Sequence, residues 1–293
     1  MAHGRFAKGV WIGLLSLVLT ACSALDALDA VTPSGSYVRT RDVAFGDHPR
    51  QQLDVYAPPA ARGAPTIVFW YGGSWRRGAR TQYRFVAEAL VREGFVVVLP
   101  DYRLAPEARF PDFVDDAARA VAWTHANVAR LGGDPARIFV MGHSAGAYNA
   151  ALVALDPSYL ARAGAPADAV AGVIGLSGPY DIRPLRGRTI DAAFGPAATA
   201  DAAQPAAFAR PNAPPVLLIH GGKDGLVPPA HAQTLADALH AAGARADLRV
   251  YPDIAHIDMV LGLSSRLRGA SPLIADIATF VRAGARAQAQ AAE

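Results

Sequence analysis

The sequence predicts an α/β protein: a doubly wound, mostly parallel sheet flanked by helices, with a small cap insertion. Three observations carry this. Continuous apolar runs of four to seven residues recur along the chain and read as buried parallel strands. Segments rich in alanine or opened by proline, and closed by glycine, separate these runs and read as helices. One junction, Gly142-His143-Ser144-Ala145-Gly146, joins an apolar β-favouring run to an alanine-rich stretch through a serine-centred turn.

Taken in order, residues 1–21 read as an export signal. Arg5 and Lys8 form a positive start, Val10 to Leu19 an apolar run, and Thr20 and Ala21 precede Cys22. That run is shorter than the ~20 apolar residues a membrane-spanning helix needs. Leu19-Thr20-Ala21-Cys22 resembles a bacterial lipobox, which implies a lipidated Cys22 as the first mature residue. Cys22 is also the chain's only cysteine, so an intrachain disulfide is ruled out. Ser23 in the next position implies sorting to the outer membrane, facing the periplasm. Residues 22–36 then read as a tether.

Residues 37–286 form the expected globular domain. Tyr37–Val43 and Gln52–Tyr56 alternate apolar and polar residues, as an edge hairpin does. The buried-strand runs are Thr66–Tyr71, Phe95–Leu99, Ile138–Met141, Val170–Leu176 and Val216–His220, with Leu248–Tyr251 as a shorter last strand. Helices are expected after Thr81 to Gly94, from Pro111 to Gly132, over Ala145–Ala154, after Pro229 to Gly243, and from Pro272 to about Arg282. Residues 181–215 are rich in alanine and proline without a clean period, and read as the cap insertion. Residues 287–293 read as a C-terminal tail continuing an alanine-biased helix end.

Composition narrows the function classes. Hydrophobic residues make up 52% and charged residues 18% of the 293, which suits a well-buried globular protein. The formal net charge is only +3, and no basic block with interleaved aromatics is present, so nucleic acid is not an expected partner. No metal or organic cofactor is called for.

The serine turn suggests nucleophilic chemistry, which needs a base for the Ser144 proton and an acid to orient that base. The histidines after it are His220, His231, His240 and His256. His231 and His240 fall on a helix with apolar neighbours, and His220 precedes the plausible acids on its loop. His256 follows the last strand on a loop at the sheet's carboxyl end, and is the expected base. Asp224 follows the strand ending at His220 and is the expected acid, with Asp181, one strand earlier, as the rival. Asp253 lies too near His256 in sequence to orient it. An oxyanion needs backbone donors: the N–H of Ala145, after the nucleophile, and those of Gly72 and Gly73 after the strand Thr66–Trp70. His143 reads as packing beneath the nucleophile, and Arg76 and Arg77 as a solvated loop.

Together these segments resemble the α/β-hydrolase superfamily, in particular esterases related to hormone-sensitive lipase, arylformamidase and the BD-FAE carbohydrate esterases. The resemblance covers about Val43 to Val281. Tyr71-Gly72-Gly73-Ser74-Trp75 corresponds to the family's His-Gly-Gly segment, with tyrosine in place of histidine. Asp101-Tyr102-Arg103-Leu104-Ala105-Pro106-Glu107 resembles the lipase group, and His220-Gly221-Gly222-Lys223-Asp224 the acid loop of the formamidase and BD-FAE branch. The resemblance implies a carboxylic-ester hydrolase acting on small molecules through an acyl-enzyme. Two alternatives stay open: an amidase of the N-formylkynurenine type, and a lipid-anchored binding scaffold without catalysis.

Overall fold

The protein is described by a computed structural model over residues 25–183, 185–264 and 272–291, with side chains to residue 284. The segment expected to be an export signal, Cys22 and residues 292–293 lie outside the described residues. Eight strands form one sheet in the order β1-β2-β4-β3-β5-β6-β7-β8. They are β1 (Val38–Ala44), β2 (Gln52–Ala57), β3 (Ala64–Trp70), β4 (Val96–Pro100), β5 (Gly133–His143), β6 (Gly172–Leu176), β7 (Val216–Gly221) and β8 (Ala246–Tyr251). The β1–β2 and β2–β4 pairs are antiparallel, and all others are parallel.

Burial follows the sequence pattern. β4 and β6 are buried at every residue, as strands covered on both faces must be, whereas the edge strands β1 and β8 are mostly half-buried or exposed. The helices are α1 (described over residues 25–30), α2 (Arg84–Val91), α3 (Asp112–Asn127), α4 (Ala145–Leu155), α5 (Pro157–Arg162), α6 (Arg188–Ala193), α7 (Ala230–Ala241), α8 (His256–Leu261) and α9 (Leu273–Ala291). α2 packs with α9, and α3 packs with α4. The right-handed crossovers β3-α2-β4 and β4-α3-β5 run in opposite directions along the sheet, which puts these two pairs on opposite faces.

That reversal matters for function. The chain leaves β3 toward β4 and later returns to β5 on the other side of β3. The carboxyl ends of β3 and β5, with Trp70 paired to Gly142, therefore open into the crevice of a topological switch point. The loop Tyr71–Gly73 leaves one edge of the crevice and Ser144 the other.

One region departs from expectation. Residues 25–30, read as part of a tether, are helical and docked: Leu25 is buried, the Asp29 carboxylate accepts the Arg84 backbone N–H at 2.7 Å, and Gln82 donates to Asp26 at 2.9 Å. Asp29, at the free amides that open α2, gains from its dipole, which the linear sequence does not reveal. The last helix runs past Arg282 to Ala291, in keeping with the alanine-biased helix end read there. Residues 181–215 comprise α6 and short 3-10 turns packed on α4, where the Tyr148 hydroxyl donates to the Ala203 carbonyl at 2.8 Å.

Candidate active site

Ser144 sits between β5 and α4 with φ 54° and ψ −122°, a backbone that L side chains rarely adopt. The turn is held by the Ser144 N–H on the Leu176 carbonyl at 2.9 Å. Gly146 makes it possible: a Cβ there would lie 2.1 Å from the Trp70 carbonyl oxygen. The opening of α4 thus presses directly on the end of β3.

The structure brings the three residues of the expected relay together. The Ser144 hydroxyl donates to His256 Nε2 at 2.9 Å, and His256 Nδ1 donates to Asp224 Oδ2 at 2.7 Å. These partners come from three separate strand ends, and His256 lies 112 residues from Ser144. His256 is the first residue of the short helix α8, not part of an extended loop. The backbone N–H groups of Leu226 and Val227 donate to the other Asp224 oxygen at 3.0 and 2.8 Å. Burial alone would raise the Asp224 pKa, but hydrogen bonds from His220, His256 and Val227 outweigh it and hold the carboxyl well below the usual carboxylate range. Asp224 is therefore ionised and can support a charged imidazole.

Asp181, the rival acid, is turned elsewhere. It accepts the Arg183 backbone N–H at 3.0 Å and the Arg183 guanidinium at 2.9 and 3.1 Å. Asp253 is paired with Lys223 at 2.6 Å. His231 is buried, and His240 binds the Ala246 carbonyl at 2.8 Å.

Opposite Ser144 lies the glycine segment. A Cβ on Gly72 would sit 2.9 Å from Ser144 Cβ and 3.1 Å from the His143 carbonyl oxygen, so only glycine brings that backbone so close. Gly73 (φ 122°), Ser74 (φ 56°) and Trp75 (φ 57°) turn the chain sharply. Ala145 begins α4, where a helix leaves its first N–H groups without intrahelical partners and carries a positive dipole end. The surroundings suit negative charge developing beside Ser144.

Several supporting residues were not assigned from sequence. His220 is fully buried, with Nε2 2.8 Å from the Val227 carbonyl and 3.5 Å from Asp224, so it braces the acid loop. The Trp75 indole donates to Asn149 Oδ1 on α4 at 3.0 Å, tying the glycine loop to the helix behind the nucleophile. Its ring meets Tyr148 and Phe194 edge-on at 5.3 and 4.8 Å. Among the described residues, no cluster of histidine, cysteine, aspartate or glutamate is arranged to hold a metal ion.

Fold and site together define an α/β-hydrolase. The BD-FAE family profile matches residues 53–239, well over half of the chain, and the protein belongs to that family. Esterase LipC of Mycobacterium tuberculosis is 36% identical over 226 residues, 70% of this chain and 56% of LipC. Isoprenylcysteine alpha-carbonyl methylesterase ICME of Arabidopsis thaliana is 30% identical over 278 residues, 83% of this chain and 62% of ICME. The chain thus spans less than two thirds of the length of either relative. Among solved structures, Esterase B from Lactobacillus rhamnosis with a tributyrin phosphonate inhibitor superposes at a TM-score of 0.81 with 19% identity, covering 97% of this chain and 98% of the other. This last likeness is one of fold.

His143 has a more specific place than packing. Its Nε2 donates to the His256 carbonyl at 2.9 Å, and the two rings lie 4.8 Å apart. Burial first, and the neighbouring His256 second, push its pKa down to about 3, so it stays neutral beside the base. An unfolded histidine titrates near 6.5, so from about pH 6.5 down to about pH 3 the unfolded chain binds the extra proton, and acidification across that window destabilises the fold. Asp224, with its folded value depressed, adds stability that is lost only as pH falls below the ordinary carboxylate value of 3.8. Denaturant melts between about pH 7 and about pH 4.5 should give a slope for the wild type of up to about 1.4 kcal/mol per pH unit from this site. His143→Gln, which keeps a donor but does not titrate, should lose that part of the slope. Equal slopes in the two proteins would remove His143 from the account.

Proposed function

We propose that the protein hydrolyses carboxylic esters of small molecules through an acyl-enzyme on Ser144. The observation that carries this is the unbroken relay Ser144–His256–Asp224, with both links within 3 Å. His256 takes the hydroxyl proton as Ser144 attacks the ester carbonyl, and Asp224 supports the resulting imidazolium. The oxyanion of the tetrahedral intermediate is met by the N–H groups of Ala145, Gly72 and Gly73. As the intermediate collapses, His256 returns the proton to the departing alcohol. Water, deprotonated by the same histidine, then attacks the acyl group and frees the acid. The names of LipC and ICME, both esterases, support the choice of esters over amides.

We further propose that residues 1–21 direct export and that Cys22 is lipidated, anchoring the protein to the bacterial cell envelope, at the outer membrane facing the periplasm. The sequence pattern alone supports this. One acyl chain binds membranes only marginally, at about 10⁴ M⁻¹, so stable anchoring needs the several chains of a bacterial lipoprotein.

Two experiments test these readings. Ser144→Ala should lower ester turnover about 10³-fold or more, and Asp224→Asn up to about 10⁴-fold, while Asp181→Asn stays within about tenfold of wild type. A reversed order for the two aspartates would move the acid to Asp181. Separately, labelling cells with a palmitate analogue should mark the wild type and leave Cys22→Ser unmarked. Wild-type protein that stays unlabelled in the soluble periplasmic fraction contradicts the anchor and leaves the hydrolase untouched.

A further inference from the structure

We propose that Arg50 and Tyr71 are positioning residues that staple the two ends of the glycine loop and thereby fix the direction of the Gly72 and Gly73 amides. The inference rests on the ester-hydrolase reading, in which those amides meet the oxyanion.

The loop from Tyr71 to Arg80 cannot set its own shape. It holds two adjacent glycines, then Ser74 and Trp75 in the left-handed region. Such a segment has wide backbone freedom when unconstrained, so its amides must be aimed from outside. Arg50, in the turn between β1 and β2, does this with one planar guanidinium. Its Nη2 donates to the Tyr71 hydroxyl at 2.7 Å, where the loop begins, and to the Gly78 carbonyl at 2.8 Å, where it closes. Its Nε donates to the Tyr102 carbonyl at 2.8 Å.

Tyr71 completes the staple from within. Its hydroxyl donates to Asp101 Oδ1 at 2.7 Å, and the same carboxylate oxygen accepts the Arg80 backbone N–H at 2.8 Å. The phenol ring is stacked between Tyr83 and Tyr102, at 5.4 and 4.9 Å, and the Tyr102 hydroxyl donates to the Tyr71 carbonyl at 3.0 Å. Burial, and then the Asp101 charge, push the phenol pKa well above its ordinary value, so it remains a donor. An imidazole at this position, the residue that the resemblance expects, ends short of where the phenol hydroxyl meets Arg50 and Asp101. Arg50 and Tyr71 therefore act as a matched pair. Arg50 itself is partly exposed in a turn, so its three hydrogen bonds, with an ion pair to Asp101 at 3.6 Å, hold this loop and its neighbour and not the core of the sheet.

The test compares wild type, Tyr71→Phe, Arg50→Met and the double variant, with p-nitrophenyl acetate as substrate and phenylboronic acid as an inhibitor that turns tetrahedral on the serine. Each single change should lower kcat about 10- to 100-fold with KM within about threefold, and weaken the boronate in parallel, as expected for misplaced oxyanion donors. The double variant should fall no more than about threefold below the worse single, because both changes break the Arg50–Tyr71 link and loosen the same loop. Arg50→Lys keeps the charge without the fork, and should lie between wild type and Arg50→Met. Wild-type kcat in the single variants, a loss confined to KM, or losses that multiply would each overturn the proposal. If Tyr71→Phe fails to fold, Arg50→Met in its exposed turn carries the test alone. Ser144→Ala run alongside separates the two claims: retained activity there refutes the serine mechanism, whereas an inactive Ser144→Ala with a wild-type-like Arg50→Met refutes only the staple.

Discussion

The site depends on one close approach, that of the first turn of α4 to the end of β3. Gly146 lies where a single added carbon would fall 2.1 Å from the Trp70 carbonyl oxygen, and Gly72 where one would fall 2.9 Å from Ser144 Cβ. Because β3 and β5 are hydrogen-bonded neighbours at a topological switch point, the strained serine turn and the glycine loop are forced against each other. The strain at Ser144 is sustained by what surrounds it: the N–H bond to Leu176, the sheet on one side and the fully buried helix α4 on the other.

Around that contact the chain arranges charge in two layers. Close to Ser144 there are neutral donors, an uncharged His143 and a single ionised carboxylate, Asp224. Behind the glycine loop lies a denser set in which Arg80 pairs with Asp101 and Asp42, and Arg39 with Asp54. Buried charges are costly unless paired and hydrogen-bonded, and the buried members Arg80, Asp101 and Asp54 are both. Their arrangement makes geometric sense: a loop of glycines and left-handed residues needs directional bonds, which apolar packing does not supply.

Much of this was legible in the sequence. All eight strands were, because buried parallel strands are continuous apolar runs and the edge hairpin alternates. Only the polar first half of β5, from Gly133, gave no such signal. The short helices α5, α6 and α8, of six residues each, are too brief for a period to register, although Asp156 capping α5 and Pro157 opening it were readable marks. Ser144, His256 and Asp224 could be expected to meet, as they do, because the chemistry they suit constrains residue type and chain order. The contacts of His143, Asn149 and Arg50 were not legible, since each is bonded to a partner distant in sequence, 113 residues away in the case of His143 and His256. The docking of residues 25–30 on α2 was hidden for the same reason, because it rests on Asp29 meeting Arg84 55 residues later.

The central claim is that Ser144 is the nucleophile and carries the acyl group. The most direct measurement is peptide mass spectrometry of the protein after reaction with a fluorophosphonate ester, which trapping by an activated serine converts to a stable adduct. The account predicts one phosphonyl group per chain, on the peptide containing Ser144, and none on His256→Ala treated alike, because the hydroxyl is then left without its base. An adduct on another residue, or equal labelling of the His256→Ala protein, would contradict it.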